Sequence, residues 1–475
     1  MTYKVSKLNV LLILCCFLFS CKQLLDVDPT GSIDAEGSLN SKETLTAMAN
    51  GSYSYLRSTA LYGEEYIVYP EIQADNAVQS GRTSNLVSVA DNNVGSGLDG
   101  WHQAYEGIVQ INVTLEALRT FEAPQEWKDA LAGQLYFLRA LYYHNLARTF
   151  GYDPTAVIAS SDRGTVPMIL KGVVAVDDID YKGRMSIDSM YTQLYSDLDS
   201  AYALLANTAA DRAPHFATQG AVAALYSRIA LYNGDYQKVV EQADMAIASH
   251  IATLSTHDSY VADWRQETHP ESMFEVMFTK TENIGVNNSI HSMFTTHASA
   301  AEPDLLKGNG YAVVSDGLYN LYEDNDVRKE LIWSGLGGNA DKHEMTKFLS
   351  RGGDYGLDNV PVIRLSEVYL NRAEAYAHIP GDENLAIADL NTIRERAGLD
   401  PLYGLSEETL INAILLQRRL ELAFEGDRWF TLKRLGEDVI KPDGTVMPFS
   451  DYRILSRVPF REVNANPSLR QNRGY

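Results

Sequence analysis

Cysteine is scarce in this 475-residue chain: Cys15, Cys16 and Cys21 are the only three, and none follows. If a leader is removed ahead of Cys21, one thiol remains. No internal disulfide can then form, and the fold must rest on its core. Long apolar runs are scarce too. Only Val10 to Phe19 stands out, and it is shorter than the roughly 18 residues a membrane-spanning helix needs. Metal signatures are missing: there is no HExxH and no Cys/His cluster, and the ten histidines are scattered. His291 and His297 suit no helical ligand pair and read as structural. Two acidic turns begin like calcium loops. The one from Asp26 to Gly31 meets Gly37 where a bidentate Glu is required, and the one from Glu323 to Arg328 lacks the loop glycine. There is no GxxxxGK[ST] phosphate loop and no GxSxG elbow, and Gly335 to Asn339 has no strand–turn–helix context. No cofactor, no metal and no catalytic residue is therefore nominated. Positive charge is also in deficit, with 40 Lys and Arg against 62 Asp and Glu, a net of −22. Such a body repels phosphate backbones, so no nucleic-acid partner is expected. Glycosidase chemistry needs only two carboxylates at a set separation, and 62 acids leave it open without singling out a pair.

The amino end carries Lys4 and Lys7 ahead of the apolar run. This order of basic and apolar segments predicts a signal peptide over 1–20 and export of the remainder. Leu18-Phe19-Ser20-Cys21 resembles a bacterial lipobox, whose Cys receives a diacylglyceryl group and then a third acyl chain. Two or more chains hold a protein firmly, at about 0.8 kcal/mol per buried CH2. Cys21 is the expected lipidation site; the alternative is a plain secretory signal with a chance Cys. Pro29, Gly31, Gly37 and the surrounding Ser and Asp make 21–41 a tether.

From 42 to 250 apolar residues recur at helical spacing. In Ala224 to Ile247, Leu225, Ile229 and Tyr232 share one helix face. Asn233-Gly234 supplies a turn, and Val239, Val240, Ala243 and Ala246 face back. Glu367 to Gly398 repeats the arrangement. Both look like tetratricopeptide-type (TPR-like) hairpins, without a repeat of fixed length. The period fades over 251–360, where Gly, Asn, Asp and Ser crowd and short β-like runs such as Met273 to Phe278 appear. Helical pattern returns over 361–475. The expected fold class is mainly α: TPR-like hairpins forming a scaffold, with a loop-rich face carrying short β segments. Tyrosine is plentiful, at 28 against 14 Phe and 5 Trp. Tyr142, Tyr226, Tyr369 and Tyr376 fall on helix faces and suit packing. Tyr311, Trp333 and Tyr355 fall in the irregular segment and are the better ligand candidates.

Several stretches together resemble the SusD/RagB family of outer-membrane lipoproteins. The ending VPFREVNANPSLRQNRGY (Val458 to Tyr475) is similar to the family's tail. RLSEVYLNRAEAY, LNTIRERAGL and LELAFEGDRWFTLKRLG follow in the family's order, as do LLDVDP, WHQAYEGIVQIN, QLYFLRALYYHNLARTFG and RMSIDSMYTQLYSDLDSAYALL upstream. Gln417, Thr431 and Arg473 depart from the usual Glu, Asp and Pro; these positions are expected to make helix-packing ion pairs and a chain-terminal clamp, so the changes bear on particular salt bridges and not on the fold. Trp101 and Trp429 lie in motifs and are expected in the core. The resemblance implies four TPR-like hairpins opposite a variable face and lipid attachment at the outside of the outer membrane. It also implies a SusC-like TonB-dependent transporter as partner, and capture of a glycan or peptide. Family ligand sites come from the loop before the Trp101 helix and from the irregular middle. That places Asp75, Asn76, Arg82 and Asn85, with Tyr311, Trp333 and Tyr355, as the expected ligand contacts. Two rivals remain at this point: a surface glycan-processing hydrolase and a TPR-type protein-binding scaffold.

Overall fold

The computed structural model describes residues 39–475 apart from Thr83, Val94 and Ser96, so the leader, Cys21 and the Asp26 to Gly31 turn lie outside the described residues. Among the described residues, eleven helices of eight or more residues form the scaffold. They are α1 (Lys42–Ser54), α2 (Glu65–Ile72), α3 (Trp101–Thr120), α4 (Gln125–Phe150), α5 (Ile187–Leu204), α6 (Gln219–Asn233), α7 (Tyr236–Ala248), α8 (Leu365–His378), α9 (Glu383–Arg396), α10 (Glu407–Glu421) and α11 (Arg428–Leu435). α3 pairs with α4, α6 with α7 and α8 with α9; α5 packs on α4 and α10 on α8. The mainly α, TPR-like class follows.

Local chemistry sets the helix ends. Ser41 caps α1 through Thr44 N at 3.1 Å, Ser186 caps α5 through Ser189 N at 3.2 Å, and Asp235 caps α7 through Lys238 N at 3.2 Å. Between α6 and α7, Gly234 sits at φ 70°, the left-handed conformation the turn requires. α4 is the central helix, buried on all sides from Phe137 to Phe150. A helix so placed must pair its polar groups internally. Arg139 donates to Asp197 at 2.8 and 2.6 Å and to Asn112 at 2.8 Å; Asn145 donates to Tyr62 at 2.9 Å.

Short strands sit among the loops. β1 (Ala77–Gln79), β3 (Ala312–Val314), β5 (His343–Met345) and β4 (Ile332–Ser334) form one antiparallel sheet in that order. β2 (Ser272–Val276) pairs with β6 (Val360–Arg364), leading into α8; β7 (Val439–Ile440) and β8 (Val446–Met447) make a hairpin. One apolar core runs from Leu45 to Leu469 and takes residues from 42–250, 251–360 and 361–475 alike. The three segments therefore share a core, although the pattern changes at their borders. Trp101 and Trp429 are buried in it, as are Tyr142 and Tyr226, while Tyr369 packs half-buried against it and Tyr376 against a smaller cluster beside it.

The charged residues of the family-like motifs point inward. Arg364 meets Glu271 at 2.6 Å, Glu421 at 3.0 Å and Glu425 at 2.7 Å. Arg396 meets Glu421 at 2.6 Å, Arg434 meets Glu374 at 2.6 Å, and Arg418 meets Asp427 at 2.7 Å. Two of the departures, Gln417 and Thr431, join these networks by hydrogen bonding, while the third, Arg473, sits apart in the tail. Gln417 accepts from Arg328 at 2.8 Å, Thr431 donates to Asp427 at 2.8 Å, and Arg473 clamps Ser160 O at 2.7 Å. His291 and His297 are buried and structural: the His291 ring bonds His297 O at 2.8 Å, and the His297 ring bonds Ser334 O at 2.9 Å.

Candidate functional site

The nominated loop, 71–93, leaves α2, forms β1 and returns toward α3. Its first two nominees are structural. Asp75 takes both nitrogens of Arg428 at 2.6 and 2.8 Å and Arg419 at 3.1 Å. Burial raises its pKa, but those guanidiniums outweigh it and leave the carboxyl below its ordinary value. Asn76 is buried, donates to Glu71 at 2.7 Å and accepts from Arg419 at 2.8 Å. These bonds tie the loop to α10 and α11 and occupy both side chains expected to contact ligand. Arg82 is exposed and reaches across to Asn309 O at 3.0 Å, over the Gly337-Gly338 turn. Asn85, also exposed, lends its carbonyl to Gln79 at 3.3 Å.

The same loop lines a cavity of about 290 Å³ against the β7–β8 hairpin. Its polar groups include Gln79, Asp91, Asn92, Lys441, Asp443 and Arg453, set among apolar residues such as Ile72, Ala77, Val78 and Val446. Lys441 Nζ is held by Gln73 O at 2.6 Å, Ile72 O at 3.2 Å and Asn92 at 3.4 Å. Burial brings its pKa down to about 8, with Asp91, Asp443 and Asp75 opposing. Lys441 was not nominated, and no local pattern marks it, because the groups it bonds lie far away in the chain.

The irregular middle builds a second hollow of about 490 Å³ between 299–302, 349–355 and Arg265. Tyr355 lines it, donating to Glu302 at 2.6 Å beneath Lys307, whose Nζ is 5.2 Å from the ring. Trp333, on edge strand β4, lies edge-on to His297 at 5.0 Å, with Arg265 5.4 Å from its ring. Burial and the nearby Arg351 lower Arg265 to about 10. Tyr311 is half-buried against the core and its carbonyl extends the β1–β3 pairing to Ser80 N at 2.9 Å. Tyr355 thus lines the hollow, while Trp333 stands behind it, joined through Arg265, which lines the hollow and lies over the Trp333 ring.

One buried node fixes this face. Glu344 on β5 accepts from Thr296 N at 2.7 Å, Thr296 Oγ1 at 2.8 Å and Asn339 at 2.7 Å; Asn339 also donates to Gly310 O at 2.8 Å. A side chain at Gly310 or Gly335 would come within 2.5 Å of Glu344 Oε1. Among the described residues no group of three His, Cys, Asp or Glu is placed to hold a metal, and no helix is long and apolar enough to cross a membrane.

A TPR-like helical scaffold with two hollows on a loop-built face, and with no group of three His, Cys, Asp or Glu placed to hold a metal among the described residues, defines a class of helical protein organised around that face. The family model described as "SusD family" matches residues 334–439, and that described as "Starch-binding associating with outer membrane" matches residues 23–231. The chain belongs to the SusD/RagB family. It is 25% identical to SusD-like protein P2 of Formosa agariphila, over 93% of this chain and 92% of the relative. A SusD superfamily protein of Bacteroides thetaiotaomicron superposes with a TM-score of 0.79 at 24% identity, covering 90% of this chain and 99% of that one. A laminarin-binding SusD-like protein does so with a TM-score of 0.74 at 23% identity, covering 92% and 100%.

Proposed function

We propose that this chain is a lipid-anchored glycan-binding protein on the outer face of the outer membrane. It captures oligosaccharide, or peptide, and hands it to a SusC-like TonB-dependent transporter. The observation that carries the reading is that both segments the family resemblance assigns to ligand line open hollows. These mix apolar walls with hydrogen-bonding side chains, the chemistry that sugar C–H faces and hydroxyls require. The laminarin binder among the structural neighbours and the outer-membrane description of one matching family support it. No bond need be made or broken. Arg82, Asn85, Tyr311, Trp333 and Tyr355 stay as proposed contacts, and Lys441 and Asn92 join them.

Binding is tested with purified protein lacking the leader on a panel of β-glucans, xylans and pectic oligosaccharides. We expect retarded migration with polymer length unchanged; shortening of the chains would make it a hydrolase. Trp333→Ala with Tyr355→Ala should weaken the bound glycan about tenfold, or ~1.4 kcal/mol. The anchor is tested by Cys21→Ala, expected to abolish fatty-acid labelling and release the protein from membranes. Protease shaving of intact cells tests its orientation, since an inward-facing scaffold survives it.

A further inference from the structure

Beside the 290 Å³ cavity, and sharing Asn92 and Arg453 with it, lies a third hollow of about 220 Å³. It opens between the loop before α3 and the 453–461 segment. Its character differs from that of the body around it. Three arginines, Arg453, Arg457 and Arg461, line it in a chain of net charge −22. Arg453 is spoken for by Asp451, at 2.9 and 2.7 Å. Arg457 and Arg461 are exposed, and among the described residues neither makes an ion pair or side-chain hydrogen bond. One acid, Asp99, also lines the hollow; burial raises it above the ordinary carboxylate value, with Arg457 opposing.

Gln73 lines the same hollow. Gln73 is 5% exposed, and its Oε1 is buried with no hydrogen-bond partner. Its backbone carbonyl holds Lys441 at 2.6 Å, while its side chain lines this hollow with Nε2 beside Gly97. A buried acceptor of this kind calls for a donor such as a hydroxyl. Phe460 stands 68% exposed at the rim, an apolar face beside the two arginines.

A hydroxyl donor deep in the hollow, an anion at its mouth and a ring face beside it describe one chemical class. We propose that this hollow is an acidic-sugar subsite, taking a carboxylate- or sulfate-bearing residue of an oligosaccharide whose neutral portion occupies the adjoining cavity. It rests on the glycan-binding reading. The net negative body does not forbid it. At 0.15 M salt the Debye length is about 8 Å, so distant acids are screened while contacts of a few ångströms to guanidinium persist.

The test uses the protein lacking its leader, with Arg457→Ala/Arg461→Ala as variant. Both positions are exposed, and unchanged thermal unfolding confirms that the variant is folded. Calorimetry compares a neutral β-glucan oligosaccharide, a uronate-bearing one and a sulfated one of equal length. We expect at least tenfold tighter binding of an acidic oligosaccharide than of the neutral one. The variant should lose that preference while neutral binding is unchanged. Whichever acidic arm shows the preference identifies carboxylate or sulfate. Equal affinities for all three, or a preference that survives in the variant, overturns the subsite and leaves the glycan reading standing. Free glucuronate and sulfate, titrated alone, probe the hollow without any polymer. Protection of Arg457 and Arg461 from phenylglyoxal by either supports it even if no neutral glycan binds, and no protection by either overturns it.

Discussion

Glu421 sits where four cations converge, two of them, Arg364 and Arg396, from the family-like motifs. Burial alone would favour its neutral form, but Arg396, Arg364, Arg328 and Lys347 outweigh this and hold it well below the usual carboxylate range. Replacing it by Gln strands Arg396, whose remaining carboxylate, Glu271, lies 3.6 Å away. Breaking a buried pair in this way costs about 3–5 kcal/mol, so Glu421→Gln should lower the urea midpoint by that equivalent. Asp427 behaves likewise: burial opposes ionisation, yet Arg418 brings it to about 2. Its folded value is depressed, so its contribution is present above the unfolded value of about 4 and is lost as pH falls toward 2. Glu64 has the opposite sign. Burial lifts it from 4.5 to about 7, so the folded state resists ionisation. Its penalty is absent below pH 4.5, grows between 4.5 and 7, and is constant above that. Glu64→Gln should therefore leave thermal stability unchanged at pH 4 and raise it at pH 8; an equal shift at both would remove this account. Such pairings were not visible in the sequence. Asp75 and Asn76 read as loop ligands because their partners, Arg428 and Arg419, stand some 340–350 positions away. Lys441 went unmarked for the same reason, since it bonds carbonyls across the fold.

Elements were more legible than contacts. Asn233-Gly234 announces its hairpin because a left-handed residue between two apolar helix faces has few other uses. The run from Met273 to Phe278 reads as β, and β2 occupies most of it. The four-stranded sheet was not legible, since its strands have three residues each and come from 77 to 345. No alternation develops in three residues, and what holds them is the Glu344–Asn339 node. That node yields a prediction at this scale. Gly310 lies at φ 57°, and a methyl there would fall 2.4 Å from Asn339 Nδ2 and 2.5 Å from Glu344. Gly310→Ala should unseat the 335–340 turn beneath Arg82 while the helical scaffold persists. We expect unchanged far-UV circular dichroism with faster proteolysis within 299–340 and weakened glycan binding. Wild-type proteolysis and affinity together would show the node to be dispensable.

At the scale of the molecule, the question is whether scaffold and loop face come apart. The sequence divides at about 250 and 360, and chains of this length often unfold in steps. The packing argues otherwise. β2 from the irregular segment pairs with β6 at the start of α8, and Arg228 on α6 holds Glu367 on α8 through both carboxylate oxygens, at 2.6 and 2.5 Å. The tail closes the circuit. Asn472 donates to Phe150 O at 2.9 Å and Ser456 O at 2.7 Å, and accepts from Arg184 at 2.6 Å. It thereby ties the chain's end to the central helix and to the segment before α5. Unfolding should therefore be a single transition, coincident by tryptophan fluorescence and far-UV circular dichroism. Asn472→Ala removes three bonds and takes the Asn472 donor from Ser456 O, while Arg184 keeps Phe150 O, Gly164 O and Thr165 O; the loss should cost about 1–3 kcal/mol. A shared core predicts that this loss moves both probes' midpoints together. Separate movement of one probe would mean that the tail guards only its own corner, and that the loop face is free to open while the scaffold stands.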